Sequence, residues 1–578
     1  MTGPAAPKDP EKSRPYFYIM KEKEVFGSPQ PNGEGIQFIY ENDGRLINSA
    51  KIVGNIEDEK ELELLKTVDG FRKMVHSVGV SVVTEEPMQK VKFVFQMYGK
   101  TDLYGGGTNL ITNVRGDGME QRVYLEDTEW SSDDVEPGQI RFEFDKPEIL
   151  GNASVRFYLN EGFTAPEDAQ EEPVDMESEE YKEMIQRSLM NLGNAYRIRK
   201  AIAKARAGKD VTFAFIGGSI TQGAGAIPIN TECYAYKTYQ RFCKEYAAGD
   251  NVKYIKAGVG GTPSELGMLR FDRDVLRDGE QPDIVVIEFA VNDEGDETKG
   301  NCYESLVKKV LNLPSKPAVI LLFSVFADDY NLQERLKPVG EHYDLPMVSL
   351  KDAVTPQFSK KKGEGRVLTK NQYFYDIFHP TNLGHTIMAD CLFHLFDSCD
   401  TAEHARIDSF AMGLTEEEVL SQLLQQSPAI GCDFDKVKLM DKKDTFLEAA
   451  IDEGGFVMTD TELQSVEMDL DLEQTPEFPY NWMYDGTRSD QAYFELRMKC
   501  KALLLIYKDS GEVNVGKADV LVDGTKTITA DPHINNWLHC NAAIVFNEKE
   551  SKEHTIRVQV TEDSKDKQFT ILGFGYVL

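Results

Sequence analysis

A chain of 578 residues is too long for one hydrophobic core, and its 41% apolar and 10% aromatic content is ordinary for globular protein, so roughly two to four domains are expected. A formal net charge of -33 argues against nucleic acid and anionic membrane as partners. No run reaches the roughly 18 apolar residues of a membrane span, and Met1-Thr-Gly-Pro-Ala-Ala-Pro-Lys-Asp-Pro lacks the apolar core of a signal peptide.

From Tyr16 to Gly162 the sequence is strand-like. Val91–Tyr98, Gln139–Asp145 and Ser154–Leu159 nearly alternate, and turn-rich text such as Tyr104-Gly-Gly-Gly-Thr-Asn109 separates them. An antiparallel β-sandwich without recognisable chemistry is expected there, as a structural or cap domain. Thr164 to Glu180 is acidic and reads as a linker or solvated loop. Tyr181 to Ala207 reads as one helix ending in Lys200, Lys204 and Arg206.

From Val211 to about Leu395 strands and helices alternate. The strand-like runs are Val211–Phe215, Val252–Ile255, Ile284–Phe289, Ala318–Phe326 and Pro346–Leu350, with helical stretches such as Glu304–Leu311 and Leu332–Tyr343 between them. Such alternation predicts an α/β fold with a parallel sheet, helices on both faces and the site at the carboxyl ends of the strands. After a linker near Ala405 to Pro428 the text is β again, with runs such as Tyr493–Met498, Ala502–Tyr507 and Thr555–Val560, which predicts a second sandwich. The expected domains are therefore residues 1–175, 176–405 and 406–578.

Eight cysteines without CxxC pairs predict free thiols in a reducing cytoplasm, with neither a disulfide framework nor a zinc site.

Chemistry concentrates in Val211-Thr-Phe-Ala-Phe-Ile-Gly-Gly-Ser-Ile-Thr-Gln-Gly-Ala-Gly225, a buried strand running into a glycine-rich turn that carries Ser219. A serine at that turn is exposed beside outward N–H groups, as a nucleophile requires, although such turns also bind phosphate. Three further stretches follow predicted strands: Ala257-Gly-Val-Gly-Gly-Thr-Pro-Ser264, Ala290-Val-Asn-Asp293 and Asp376-Ile-Phe-His-Pro380. Asp376 and His379, three apart, can place a carboxylate on one imidazole nitrogen while the other faces Ser219. Asn292 and the glycine turn offer uncharged donors for an oxyanion, together with the Ser219 N–H.

Ser219, Gly261, Asn292 and His379, in that order, resemble the four blocks of the SGNH-hydrolase (GDSL) superfamily. The form Gly217-Gly218-Ser219-Ile220-Thr221, with Gly218 where the usual pattern has Asp, is similar to its carbohydrate-esterase branch. Block two admits Gly260 or Gly261, and Gly261 is preferred because it precedes the Thr-Pro-Ser turn. Val291 stands where many members have Gly before the asparagine.

The resemblance covers about Asn191 to Leu395. It implies a flavodoxin-like three-layer catalytic domain, here flanked by N- and C-terminal jelly-roll-like sandwiches. It also implies a serine esterase that needs no metal or cofactor, with Ser219, His379 and Asp376 as triad and Ser219, Gly261 and Asn292 as oxyanion hole. The substrate it points to is an acetylated oligosaccharide, and the lack of an export signal would fit deacetylation of imported oligosaccharides inside a bacterium. Homo-oligomerisation stays open, and no nucleic acid or membrane partner is expected. The rival readings are a lipid- or thioester-directed hydrolase on the same scaffold, an acyltransferase, and a carbohydrate-binding protein with an inert hydrolase domain.

His385 is expected on a helix surface. Trp537 and Trp482, in Asn-rich, loop-like text, are expected to bind sugar rings, the alternative being that each is buried in its own sandwich.

Overall fold

In the computed structural model, which describes residues 14–166, 171–277, 279–360, 362–401, 414–443 and 449–578, the strands gather into three structural units. The acidic text at 167–170 and the expected linker at 405–413 lie outside these residues.

Tyr16–Phe26, Leu150–Leu159, Val75–Thr84 and Gln121–Tyr124 form a four-stranded antiparallel sheet. It faces a five-stranded one in the order Ser28–Pro29, Gly35–Tyr40, Asp134–Phe144, Lys90–Gly99, Asn109–Arg115. Alternating side chains such as Val91, Phe93, Phe95 and Val78, Val80, Val82 fill the core between them. Three short helices, Arg45–Ile52, Glu59–Leu64 and Val68–Met74, join the first sheet strands to the rest.

The central unit is a six-stranded sheet in the order Leu189–Asn191, Met347–Ser349, Ala318–Phe323, Ile284–Glu288, Val211–Gly217, Val252–Gly258. All pairs are parallel except the first. Val211–Gly217 lies between the strand that follows it and the next one but one, so the strand order reverses at this point. The strand runs are almost wholly buried, as strands covered on both faces must be. One face packs on Tyr196–Arg206, Tyr234–Tyr246 and Asn382–Thr401 around Phe213, Phe215, Phe242 and Phe396.

The helix expected over Tyr181–Ala207 is instead two, Glu179–Gln186 and Tyr196–Arg206. Leu189–Asn191 between them pairs antiparallel with Met347–Ser349, and the edge of the sheet outweighs local helical periodicity. Within the span expected as a linker, Glu416–Gln425 is a helix with a Thr415/Glu418 capping box. It buries Leu420 against the α/β unit, and Asn194 Nδ2 donates to Glu416 at 2.5 Å.

The third unit is an eight-stranded antiparallel sheet organised on two long strands, Tyr493–Asp509 and His539–Val560. Its inner side encloses Trp482, Tyr484, Phe494, Phe569 and Phe574. On its other side Phe434, Leu463, Phe478, Leu504 and Ile506 join the core that covers the second face of the parallel sheet. The C-terminal unit and the α/β unit therefore share one apolar interior, which holds them in fixed relation. No helix among the described residues is long and apolar enough to cross a membrane.

Candidate active site

The carboxyl ends of three adjacent strands define the site. Val211–Gly217 delivers Ser219, and its two neighbours, Val252–Gly258 and Ile284–Glu288, lead into the turns bearing Gly261 and Asn292. Ser219 opens a single helical turn, Ser219–Gln222. The strand-to-turn step is tight: a Cβ on Gly218 would lie 2.2 Å from Asn292 Oδ1 and 2.8 Å from its Cγ. With glycine at 218, where the resembled pattern usually has Asp, the asparagine amide packs directly against the backbone beside Ser219.

His379 Nε2 lies 2.9 Å from Ser219 Oγ, and His379 Nδ1 lies 2.8 Å from Asp376 Oδ2. A carboxylate can only accept, so Nδ1 carries the proton, and Nε2 accepts from the serine hydroxyl. The other carboxylate oxygen, Asp376 Oδ1, accepts from the N–H of Phe378 at 2.7 Å and of His379 at 2.8 Å. Burial works to raise the Asp376 carboxyl. The His379 charge and hydrogen bond, with the two N–H donors, outweigh it and hold the group below its ordinary value.

The two candidate glycines of the second turn are placed differently. The Gly260 N–H donates to Gln222 Oε1 at 3.0 Å, and its carbonyl accepts from Gln464 Nε2 at 2.8 Å. No hydrogen bond to the Gly261 N–H is found among the described residues. Gly261 has φ +71°, and a Cβ there would lie 2.8 Å from both Trp537 Cζ2 and His539 Nε2. A left-handed backbone and two rings against Cα leave no alternative to glycine.

The rings that crowd Gly261 come from the C-terminal unit. Trp537 is 41% exposed and lies 4.4 Å from the His539 ring, centroid to centroid. Trp482 is not at the site, contrary to expectation. It starts the strand Trp482–Tyr484, which pairs with Phe569–Ile571, and its ring is 1% exposed between Phe494 and Phe574. Its Nε1 donates to Glu453 at 3.0 Å, which satisfies the one polar atom of a core tryptophan.

His385 is likewise not on a surface. It is fully buried against Tyr234, Nδ1 accepting from the Tyr234 N–H at 3.2 Å and Nε2 donating to Ala224 O at 3.1 Å. Burial pushes it from 6.5 down to about 3, against the pull of the Ala224 carbonyl. The unfolded chain therefore takes up a proton near 6.5 that the folded chain refuses until about 3, so this contribution to stability is lost as pH falls through that window. His385→Asn should be less stable than wild type at neutral pH, with the gap in Tm narrowing steadily towards about pH 4. A gap independent of pH in thermal melts would show that the imidazole bonds are not what the fold depends on.

Several positioning residues were not singled out from sequence. Asp293, next to Asn292, accepts from Ser264 N at 2.7 Å and Oγ at 2.8 Å, tying the asparagine turn to the glycine turn. Burial pushes Asp293 up to about 8, against those two bonds. Glu288, fully buried behind the nucleophile, accepts from Thr221 Oγ1 at 3.2 Å, and burial pushes it up to about 7. Lys23 of the N-terminal sandwich donates to Phe374 O at 2.5 Å and to Asn371 O, bracing the segment before Asp376. Its burial brings it down to about 8. These partners are tens to hundreds of residues apart, so only the adjacency of Asn292 and Asp293 was open to a reading of the sequence.

Beyond Asn292, Glu265, Asp296 and Cys302 bring buried ligand atoms within 4.8 Å of one another. Burial, then the Asp296 charge, pushes Glu265 up to about 10.

A parallel sheet with a serine, a histidine–carboxylate pair and converging uncharged donors at its carboxyl edge defines a carboxylic ester hydrolase. Residues 215–387 match the GDSL-like lipase/acylhydrolase family, and the central unit is an SGNH (GDSL) hydrolase domain resembling the carbohydrate acetyl esterase branch. No curated protein matches the chain. Among solved structures, it is 25% identical to a two-domain esterase (CEX) active on acetylated mannans, with a TM-score of 0.55 over 68% of this chain and 99% of that one. The same esterase co-crystallised with mannopentaose aligns with a TM-score of 0.54 over 68% and 98%, again at 25% identity.

Proposed function

We propose that this chain removes O-acetyl groups from oligosaccharides through a covalent acetyl-serine. The observation that carries the reading is the unbroken chain Asp376–His379–Ser219, with contacts of 2.8 and 2.9 Å, beside donors from the two strands flanking the serine strand. Ser219 Oγ attacks the acetyl carbonyl carbon as its proton passes to His379 Nε2. The carbonyl oxygen takes up the negative charge and is received by the N–H groups of Ser219 and Gly261 and by Asn292 Nδ2. The imidazolium, held by Asp376, returns the proton to the sugar oxygen as the C–O bond breaks. Water then gives a proton to His379 and attacks the acetyl-serine, acetate leaves, and the proton returns to Ser219 Oγ.

The sugar is favoured over a lipid by two features. The similar esterase acts on acetylated mannans, and Trp537 presents a half-exposed ring directly beside Gly261. Mass spectrometry of acetylated manno- and xylo-oligosaccharides should show stepwise loss of acetyl groups on incubation. Intact oligosaccharides alongside rapid hydrolysis of a long-chain acyl ester would replace this reading with the lipid one.

A further inference from the structure

The N-terminal sandwich reaches the site through aromatic rings that the reaction does not use. Tyr40, at the end of Gly35–Tyr40, is 50% exposed, and Tyr104, in the glycine-rich loop between Lys90–Gly99 and Asn109–Arg115, is 52% exposed. Arg45 lies with its guanidinium carbon 5.9 Å from the Tyr40 ring and 5.9 Å from that of Phe378, and the Phe378 ring centroid is 6.0 Å from that of His379. One contiguous path of side chains therefore leads from the histidine onto the outer face of the five-stranded sheet.

Single exposed tyrosines are common and need no explanation. These are held in place from below. Tyr98, buried, meets Tyr104 edge-on at 5.5 Å. The Tyr104 carbonyl accepts from the buried Gln96 amide, and its N–H donates to Asp102 Oδ1 at 3.2 Å. Gln96 in turn accepts from Gln139 Nε2 at 2.8 Å, and Gln139 is the register partner of Tyr40. A braced ring loses little freedom on binding, which is how rigid aromatic contacts gain affinity.

The opposite wall is the C-terminal unit. The Trp537 ring of that unit lies against Gly261, in the turn that follows the strand paired with the serine strand. The Glu512 loop is bonded to the Trp537 loop, with Ser510 N donating to Pro532 O at 2.7 Å and His533 Nε2 to Glu512 O at 3.1 Å.

We infer that Tyr40 and Tyr104 form a binding surface for the sugar chain beyond the acetylated residue, so that the N-terminal sandwich and the Trp537 loop are two walls of one cleft. The inference rests on the sugar-ester reading above. The similar two-domain esterase aligns with 68% of this chain, which leaves about a third of it for features that esterase lacks. The occupant is a neutral oligosaccharide. Aromatic rings beside amides suit the apolar faces and hydroxyl rims of sugar rings, and a chain of net charge -33 disfavours an anionic one.

The test compares wild type with Tyr40→Ala/Tyr104→Ala and with Tyr40→Trp in the full chain. The ratio of kcat/KM for acetylated hexasaccharides to that for acetylated monosaccharides should fall at least tenfold in the double alanine variant. It should stay near wild type in Tyr40→Trp. Calorimetric titration with unacetylated mannohexaose and xylohexaose should show binding to wild type that the double variant loses, with equal Tm for all three proteins. An unchanged ratio with unchanged binding overturns the surface, as does wild type binding neither hexasaccharide. Wild type that cleaves an aryl acetate but no acetylated sugar overturns the sugar-ester reading instead, a separate outcome from either of these.

Discussion

Ser219→Ala should reduce ester hydrolysis by about 10⁴–10⁶ in kcat while leaving the melting temperature within a degree or so of wild type. The hydroxyl is held by one contact, at 2.9 Å from His379 Nε2, and starts a four-residue helical turn whose backbone does not need it. Removing the oxygen deletes the atom that would carry the acetyl group and leaves the sheet unaltered. A fluorophosphonate should label Ser219 and no other residue, and the alanine variant should not be labelled. Full activity in the variant, or label elsewhere, would remove the covalent mechanism and every role given to His379 and Asp376.

Asn292→Ala should lower kcat by about 10²–10³, or about 2.7–4 kcal/mol of transition-state stabilisation, with little change in KM. The asparagine follows the strand that pairs directly with the serine strand, and its amide packs on the Gly218 backbone, so its position is set by the sheet. A donor that meets charge only as it develops contributes to kcat and not to ground-state binding. Asn292→Asp should be at least as damaging, because a carboxylate there would face the oxyanion. A loss confined to KM in steady-state kinetics would make Asn292 a ground-state binding residue. Asp293 supplies an internal check: it pins the Ser264 turn, so Asp293→Asn should weaken positioning of both Asn292 and Gly261 and lower kcat by less than Asn292→Ala.

The sequence alone determined what rests on local order. Fully apolar strand runs alternating with helical ones can only be covered on both faces, which made the parallel sheet legible from Val211 to Leu395. Ser219 and Asn292 were legible because each lies just past a strand, and Asp376 and His379 because a spacing of three suits a carboxylate–imidazole pair, although their stretch follows the short helix Lys370–Tyr373 and not the strand expected before it. Tertiary structure decided everything that turns on which distant groups meet. Only the Thr-Pro-Ser turn that follows favoured Gly261 over Gly260 in the sequence, and it is the Gln222 side chain that occupies the first N–H and the Trp537 and His539 rings that crowd the second. Trp482 and Trp537 sit in similar Asn-rich stretches, yet strand pairing with Phe569–Ile571 draws one into a core while the other stays on a loop at the site. His385 is polar in sequence and buried in the fold, because Tyr234 and Ala224 satisfy both its nitrogens. The bonds of Lys23 to the Asn371 and Phe374 carbonyls and the approach of Arg45 to Phe378 join residues more than 300 positions apart. No periodicity or motif carries such a contact, because the packing of one domain on another is set by surface shape and burial across the interface.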